Sequence, residues 1–154
     1  MGTGSSAVGK IKQVGNDYFK AGDYIKASKA YSKALKYDSS NGLILSNRSA
    51  CYHKLSKYKS ALDDALSCIS LLPNWHKSYY RLSVVLKSLN LISESLINAQ
   101  ISISIQPDPI VKALLEELQS LNPAPCRNNL LIWGNSHIRP TIIKELSGIP
   151  IVEL

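Results

Sequence analysis

Two stretches, GDYIKASKAYSKAL at residues 22–35 and SKYKSALDDALSCI at residues 56–69, decide how this chain folds. Tyr24, Ala27 and Tyr31 in the first line up with Tyr58, Ala61 and Ala65 in the second, at a constant offset of 34 residues. Steps of three and four put such residues on one face of a helix. A looser third copy, LNLISESLINAQISI at 89–103, places Ile92, Ser95 and Ala99 at the same points. A second helix-like segment precedes each phrase: GKIKQVGNDYFKA, GLILSNRSACYHKL and HKSYYRLSVVLKSL. The units close on breakers or polar turns at Ser39-Ser40-Asn41, Pro73-Asn74 and Pro107-Asp108.

The spacing predicts three helix pairs, at about 8–41, 42–75 and 76–109. A 34-residue helix-turn-helix period resembles the tetratricopeptide repeat family, and three repeats is about the minimum for a stable array. The resemblance implies an all-α, right-handed superhelix. The small residues Gly15, Ala27, Ser49, Ala61 and Ser83 fall where the two helices of a pair come close, because bulk there would push them apart. Leu45, Leu55, Tyr24, Tyr58, Tyr79 and Leu89 read as packing positions. After Pro107, Asp108 is placed to cap a helix with Pro109 at its first position. Val111, Leu114, Leu115, Leu118 and Leu121 then recur at helical spacing, so 109–121 reads as the capping helix that ends an array before the NPAP turn at 122–125. Residues 1–7 read as a flexible leader. Residues 122–154 hold a short apolar run, a Gly-Asn turn and an apolar end, and read as a tail or the start of a further domain.

Composition narrows the function. At 154 residues and 45% hydrophobic content the chain suits one domain with a core, and it has no apolar run long enough for a membrane span. The N-terminus lacks a secretory pattern, and three cysteines, Cys51, Cys68 and Cys126, cannot all pair within one chain. A reducing compartment is expected, and the cytoplasm is the assignment. A net charge of +7, from 18 Lys and Arg against 11 Asp and Glu, favours an acidic partner.

The arrangement of charge ranks the partners. Basic residues are not interleaved with exposed aromatics, so nucleic acid is not expected. His53, His76 and His137 are scattered and share no ligand spacing with the cysteines, and no phosphate loop or activated nucleophile occurs. No catalytic residue, metal or cofactor is therefore expected. His76 reads as a solvent-bonded residue at a helix start, and Cys51 and Cys68 as small core side chains. MGTGSS fits a myristoylation pattern through Gly2 and Ser6, the one route to a membrane surface. Asn47-Arg48-Ser49 fits a glycosylation acceptor but falls inside a predicted helix.

In such an array the first helix of each pair lines the concave surface. The polar candidates there are Lys12 and Asn16, Asn47, and Lys77 and Arg81, with Asn47 taken as the repeat equivalent of both Asn16 and Arg81. Lys12 and Asn16 are four residues apart, as are Lys77 and Arg81, so each pair shares a face. Three cations and two amides in one groove suit a carboxylate-rich ligand.

With GKIKQVGNDYFKAGDY, LSNRSACYHKL and LPNWHKSYYR, the chain resembles the co-chaperone tetratricopeptide domains that grip the acidic C-terminal tail of heat-shock chaperones of the 70 and 90 kDa classes. That resemblance implies a carboxylate clamp of Lys12, Asn16, Asn47, Lys77 and Arg81. Lys12, Asn16 and Asn47 would hold the terminal carboxylates, and Lys77 and Arg81 the upstream acidic side chains and backbone. The alternative is a repeat scaffold that binds an internal peptide or a folded partner. The third repeat departs from the family pattern, with Ser95 where alanine is usual. The lysines at 26, 29, 33, 36, 54, 57 and 59 read as solvated faces.

Overall fold

Seven helices follow one another in the computed structural model, which describes residues 3–121: α1 (Thr3–Lys20), α2 (Tyr24–Tyr37), α3 (Gly42–Lys54), α4 (Tyr58–Leu71), α5 (His76–Ser88), α6 (Ile92–Ile105) and α7 (Pro109–Leu121). The tail at 122–154, with Cys126 and His137, and Gly2 lie outside the described residues, whereas residues 3–7 of the expected flexible leader are already helical as the first turns of α1. The helices pack as α1 with α2, α3 with α4 and α5 with α6, and each pair stacks on the next. Helix α3 also touches α5, so the first helices of successive pairs adjoin along one side. Helix α7 lies on α6 and closes the end of the stack. The architecture is all-α, three stacked helix pairs and a capping helix.

The turn inside each pair is built the same way. Gly22, Ser56 and Asn90 stand at equivalent places and have positive φ, at 79°, 58° and 61°. The amide after each reaches back to close the helix: Asp23 N to Tyr18 O at 2.9 Å, Lys57 N to Tyr52 O at 2.8 Å, Leu91 N to Leu86 O at 3.0 Å. A left-handed residue followed by that bond is the Schellman ending. Glycine occupies such a backbone freely, and Ser and Asn do so with a penalty that is smaller for Asn. The helix starts are less uniform. Asp23 accepts from Lys26 N at 3.0 Å and Asn41 from Ile44 N at 3.2 Å, whereas α4, α5 and α6 have no side-chain cap.

Where the helices of a pair cross, the small residues are fully buried. Ser49 Oγ donates to Ala61 O at 2.7 Å. Ser83 and Ser95 donate reciprocally to each other's carbonyl oxygens, at 2.8 and 2.7 Å. Ser95, the departure in the third repeat, thus sits at zero exposure with its hydroxyl satisfied. Each such bond contributes on the order of 1 kcal/mol. In the first pair Gly15 has no room for a side chain, since a Cβ would lie 2.6 Å from the Tyr31 ring.

The core runs through the stack in three clusters, centred on Tyr31 and Ile44, on Val85 and Leu86, and on Val111 and Leu118. Leu45 is buried, and Tyr24, Tyr58, Tyr79, Leu55 and Leu89 are half-buried packing residues. Cys51 and Cys68 are buried free thiols whose pKa values burial pushes up to about 12 and about 11. Ser49 of the glycosylation pattern is buried within α3.

His76 corrects the sequence reading. It is buried at 4% exposure, with Nε2 3.5 Å from Asp108 Oδ2. The sequence places it at a helix start, but the chain returns over that start: Ser102 Oγ of α6 donates to His76 O at 2.8 Å, and Asp108 arrives as the cap of α7, accepting from Ile110 N at 2.8 Å.

Replacing Ser56 by Gly is expected to stabilise the fold by up to ~1 kcal/mol, because the left-handed penalty is relieved. Asn90→Gly is expected to gain less. Denaturant midpoints of the two variants against the parent check the ranking, and a loss in both would refute the turn assignment.

Candidate functional site

Asn16 lies on α1, Asn47 on α3 and Arg81 on α5, and the stacking of these three helices brings the side chains to one cavity of about 170 Å³. Tyr31, Phe19 and Lys20 complete most of its wall. Asn47 stands one 34-residue period before Arg81, as the sequence reading has it. Asn16 is not in register with them, since it precedes Asn47 by 31 residues, and it meets Asn47 through a cross-helix bond, Asn47 Nδ2 to Asn16 Oδ1 at 3.3 Å.

Asn16 is oriented from two sides. Its Oδ1 also accepts the Tyr31 hydroxyl at 2.7 Å, which leaves its amide nitrogen free to donate. Burial pushes the Tyr31 pKa up to about 12, so the phenol remains a donor at neutral pH. Tyr31 was legible in the sequence as a packing residue, and it is buried. Its second role, holding Asn16, depends on a contact between α2 and α1 that periodicity does not reveal.

Arg81 is the electrostatic centre. Its Nε is buried and has no hydrogen-bond partner among the described residues, and burial draws its pKa below the ordinary arginine value. The guanidinium lies 5.5 Å from the Tyr80 ring, a cation–π contact that gives it a face but no counter-charge. No carboxylate of the described residues forms an ion pair with it. A desolvated cation without an anion is costly unless something else supplies the charge.

Lys12 and Lys77 stand one turn before Asn16 and Arg81 on their helices, Lys12 half-buried and Lys77 exposed. Neither lines the cavity. A continuation of about 120 Å³ shares Arg81, Phe19 and Ala50 with the first cavity and adds His53, Lys54 and Tyr80. A further hollow shares His53, Tyr80 and Val84 and reaches Ile110, Leu114 and the Lys87–Glu117 ion pair. The result is one groove from α1 to α7, cationic at the Arg81 end and more apolar toward α7.

His53 marks the middle of this groove. Its Nε2 hydrogen-bonds Ser88 Oγ at 2.7 Å, and burial, aided by Lys54, Arg81 and Lys87, holds its pKa below 6.5. Sequence reasoning set His53 aside because the three histidines are scattered and share no ligand spacing with the cysteines.

Comparisons with known proteins agree with this fold. A family profile described as TPR repeat matches residues 15–56. Heat shock protein STI1 of Saccharomyces cerevisiae is 40% identical over 87 residues, covering 56% of this chain and 15% of that protein. Stress-induced-phosphoprotein 1 of Caenorhabditis elegans is 46% identical over 68 residues, covering 44% of this chain and 21% of that protein. The chain thus spans about a fifth or less of these relatives. Among solved structures, the first TPR of Spaghetti (RPAP3) bound to the HSP90 peptide SRMEEVD superposes with a TM-score of 0.72 at 24% identity, over 76% of this chain and 94% of that one. The second TPR domain of human RPAP3 in complex with the HSP70 peptide SGPTIEEVD gives 0.66 at 25% identity, over 71% and 92%.

His53 makes stability depend on pH. Its neutral form is favoured in the fold, so the unfolded chain binds the extra proton as pH drops. The contribution is complete above pH 6.5 and is lost as pH falls through 6.5 toward the lower folded value. Denaturation of the parent and of His53→Gln between pH 5 and 8, on the order of the histidine range, should show a difference that narrows on acidification. A pH-independent difference would refute the assignment.

Proposed function

Starting from a chain that carries a tetratricopeptide repeat domain closely resembling chaperone-binding ones, we propose that its groove binds the acidic C-terminal peptide of heat-shock chaperones of the 70 or 90 kDa class. The domain acts as an adaptor without chemistry of its own, and the cytoplasm is its place of work. The observation that carries the reading is Arg81, part-buried with no ion-pair partner among the described residues, which lines the cavity that Asn16 and Asn47 share. A carboxylate entering there supplies the missing counter-charge and accepts charge-assisted bonds from groups already desolvated.

The five residues divide the work by position. Asn16 and Asn47, with Lys12 a turn away, form the end that receives the α-carboxylate and last side chain. Lys77 and Arg81 form the side that takes upstream carboxylates and backbone carbonyls. An α-carboxylate adds an oxygen pair that an interior peptide bond lacks, so a free C-terminus is distinguished from an internal segment. Cations at Lys12 and Lys77, which remain in contact with water, make the affinity salt-sensitive.

Calorimetric titration with SRMEEVD and SGPTIEEVD peptides, free-acid and C-terminally amidated, tests this. The free acids are expected to bind. Amidation, and separately Arg81→Ala, should each weaken binding by ~2 kcal/mol or more, about thirtyfold. Equal binding of acid and amide would refute the clamp and leave the scaffold for an internal peptide standing.

A further inference from the structure

A second cavity, of about 930 Å³, opens between α2 and the turn that joins α3 to α4, and it shares no wall with the Arg81 groove. Four lysines rim it: Lys29, Lys33 and Lys36 from α2, and Lys57 at the start of α4. No carboxylate lines it, and none of the four is in an ion pair among the described residues. The sequence reading takes these lysines for a solvated face. Their convergence on one hollow is visible only in three dimensions.

Apart from Ser28 and Ser32, the walls between the lysines are apolar. Ile25, Tyr37, Tyr52 and Leu55 contribute them, and Ile25 and Tyr37 are 56% and 62% exposed. Nearby charge is already neutralised: Arg48 makes a two-pronged pair with Asp64, at 2.8 and 2.7 Å, and donates to Ser32 Oγ at 3.0 Å. What remains unpaired is a ring of ammonium groups over an apolar floor.

We infer that this cavity is a docking site for an acidic amphipathic helix of a partner protein, separate from the groove that takes a C-terminal tail. The spacing selects the occupant. Lys29, Lys33 and Lys36 step by four and three along two turns of α2, about 10 Å, so a helix laid beside α2 with carboxylates at the same steps meets each ammonium in turn. Its apolar stripe covers Ile25, Tyr37, Tyr52 and Leu55, which a polyanion without apolar side chains leaves wet. Tyr52 and Leu55 are half-buried, below the exposed Ile25 and Tyr37, where a flat bilayer surface does not reach. The adaptor then holds two acidic segments at once, one by its terminus and one by a helical face.

The probe is an amidated helical peptide of about 20 residues, Leu along one face and Glu on its flanks; amidation denies it the clamp. It is titrated into the full chain with amide-resolved NMR and fluorescence anisotropy, alongside an oligothymidylate and phosphatidylserine vesicles. Expected are shifts confined to α2 and residues 52–57, a Kd raised about tenfold or more by Lys33→Glu with Lys36→Glu, and little change from Lys77→Ala with Arg81→Ala. The milder pair Lys33→Gln and Lys36→Gln, with circular dichroism of both variants, separates lost binding from lost folding. Peptide shifts on the Arg81 side, no binding, or binding of the oligonucleotide or vesicles through these lysines in place of the peptide would each overturn the assignment. Because the two lysine pairs are tested separately, failure here leaves the C-terminal-tail reading to its own experiment.

Discussion

Everything in this molecule depends on how closely the two helices of a pair can approach. The contact point recurs at 15 with 27, 49 with 61 and 83 with 95, and it is solved by a different device each time. In the first pair glycine gives way to the Tyr31 ring, which fills the space a side chain would take. In the second, Ser49 donates to Ala61 O. In the third, two serines exchange bonds. A larger residue at any of these points would spread its pair, and spreading one pair moves the first helix against its neighbours. The groove is made of those first helices, so its width is set by crossings that no ligand touches.

Tyr31 links that constraint to the site. The ring that excludes a side chain at 15 carries the hydroxyl that fixes Asn16 Oδ1, and Asn16 in turn accepts from Asn47. A close-packed contact between α1 and α2 thereby orients an amide pair at the cavity. Arg81 completes the set from the third pair, its pKa drawn down by burial and with no ion pair among the described residues. The cavity is therefore assembled by packing and left electrostatically incomplete.

The helices, their pairing and their small contact residues were legible because each rests on a local period, 34 residues between units and three or four within a helix. The same period misplaced Asn16, which lies 31 residues before Asn47 and meets it through space. His76 was misread for a related reason: its burial comes from Ser102 and Asp108, a quarter of the fold away in sequence. Of the five predicted site residues, Asn16, Asn47 and Arg81 share a cavity, whereas Lys12 and Lys77 stand a turn outside it. A helical pattern gives the face a residue occupies, but the depth of a hollow is set by side chains from several helices.

The charge distribution follows from how the acids are used. Asp23 caps α2, Asp64 neutralises Arg48, Asp108 caps α7 beside His76, and Glu117 pairs with Lys87. Hydrogen bonds hold the Asp23 and Asp108 carboxyls below the ordinary carboxylate range, to Lys26 in the first case and chiefly to the Ile110 amide in the second. With these acids committed to helix starts and internal pairs, the excess of lysine and arginine is not spread evenly. Among the described residues, cations without an ion pair gather beside hollows at Arg81 and along α2. The two hollows differ in shape: the one at Arg81 is small and lined by amides, and the one along α2 is larger and rimmed by lysines over apolar side chains.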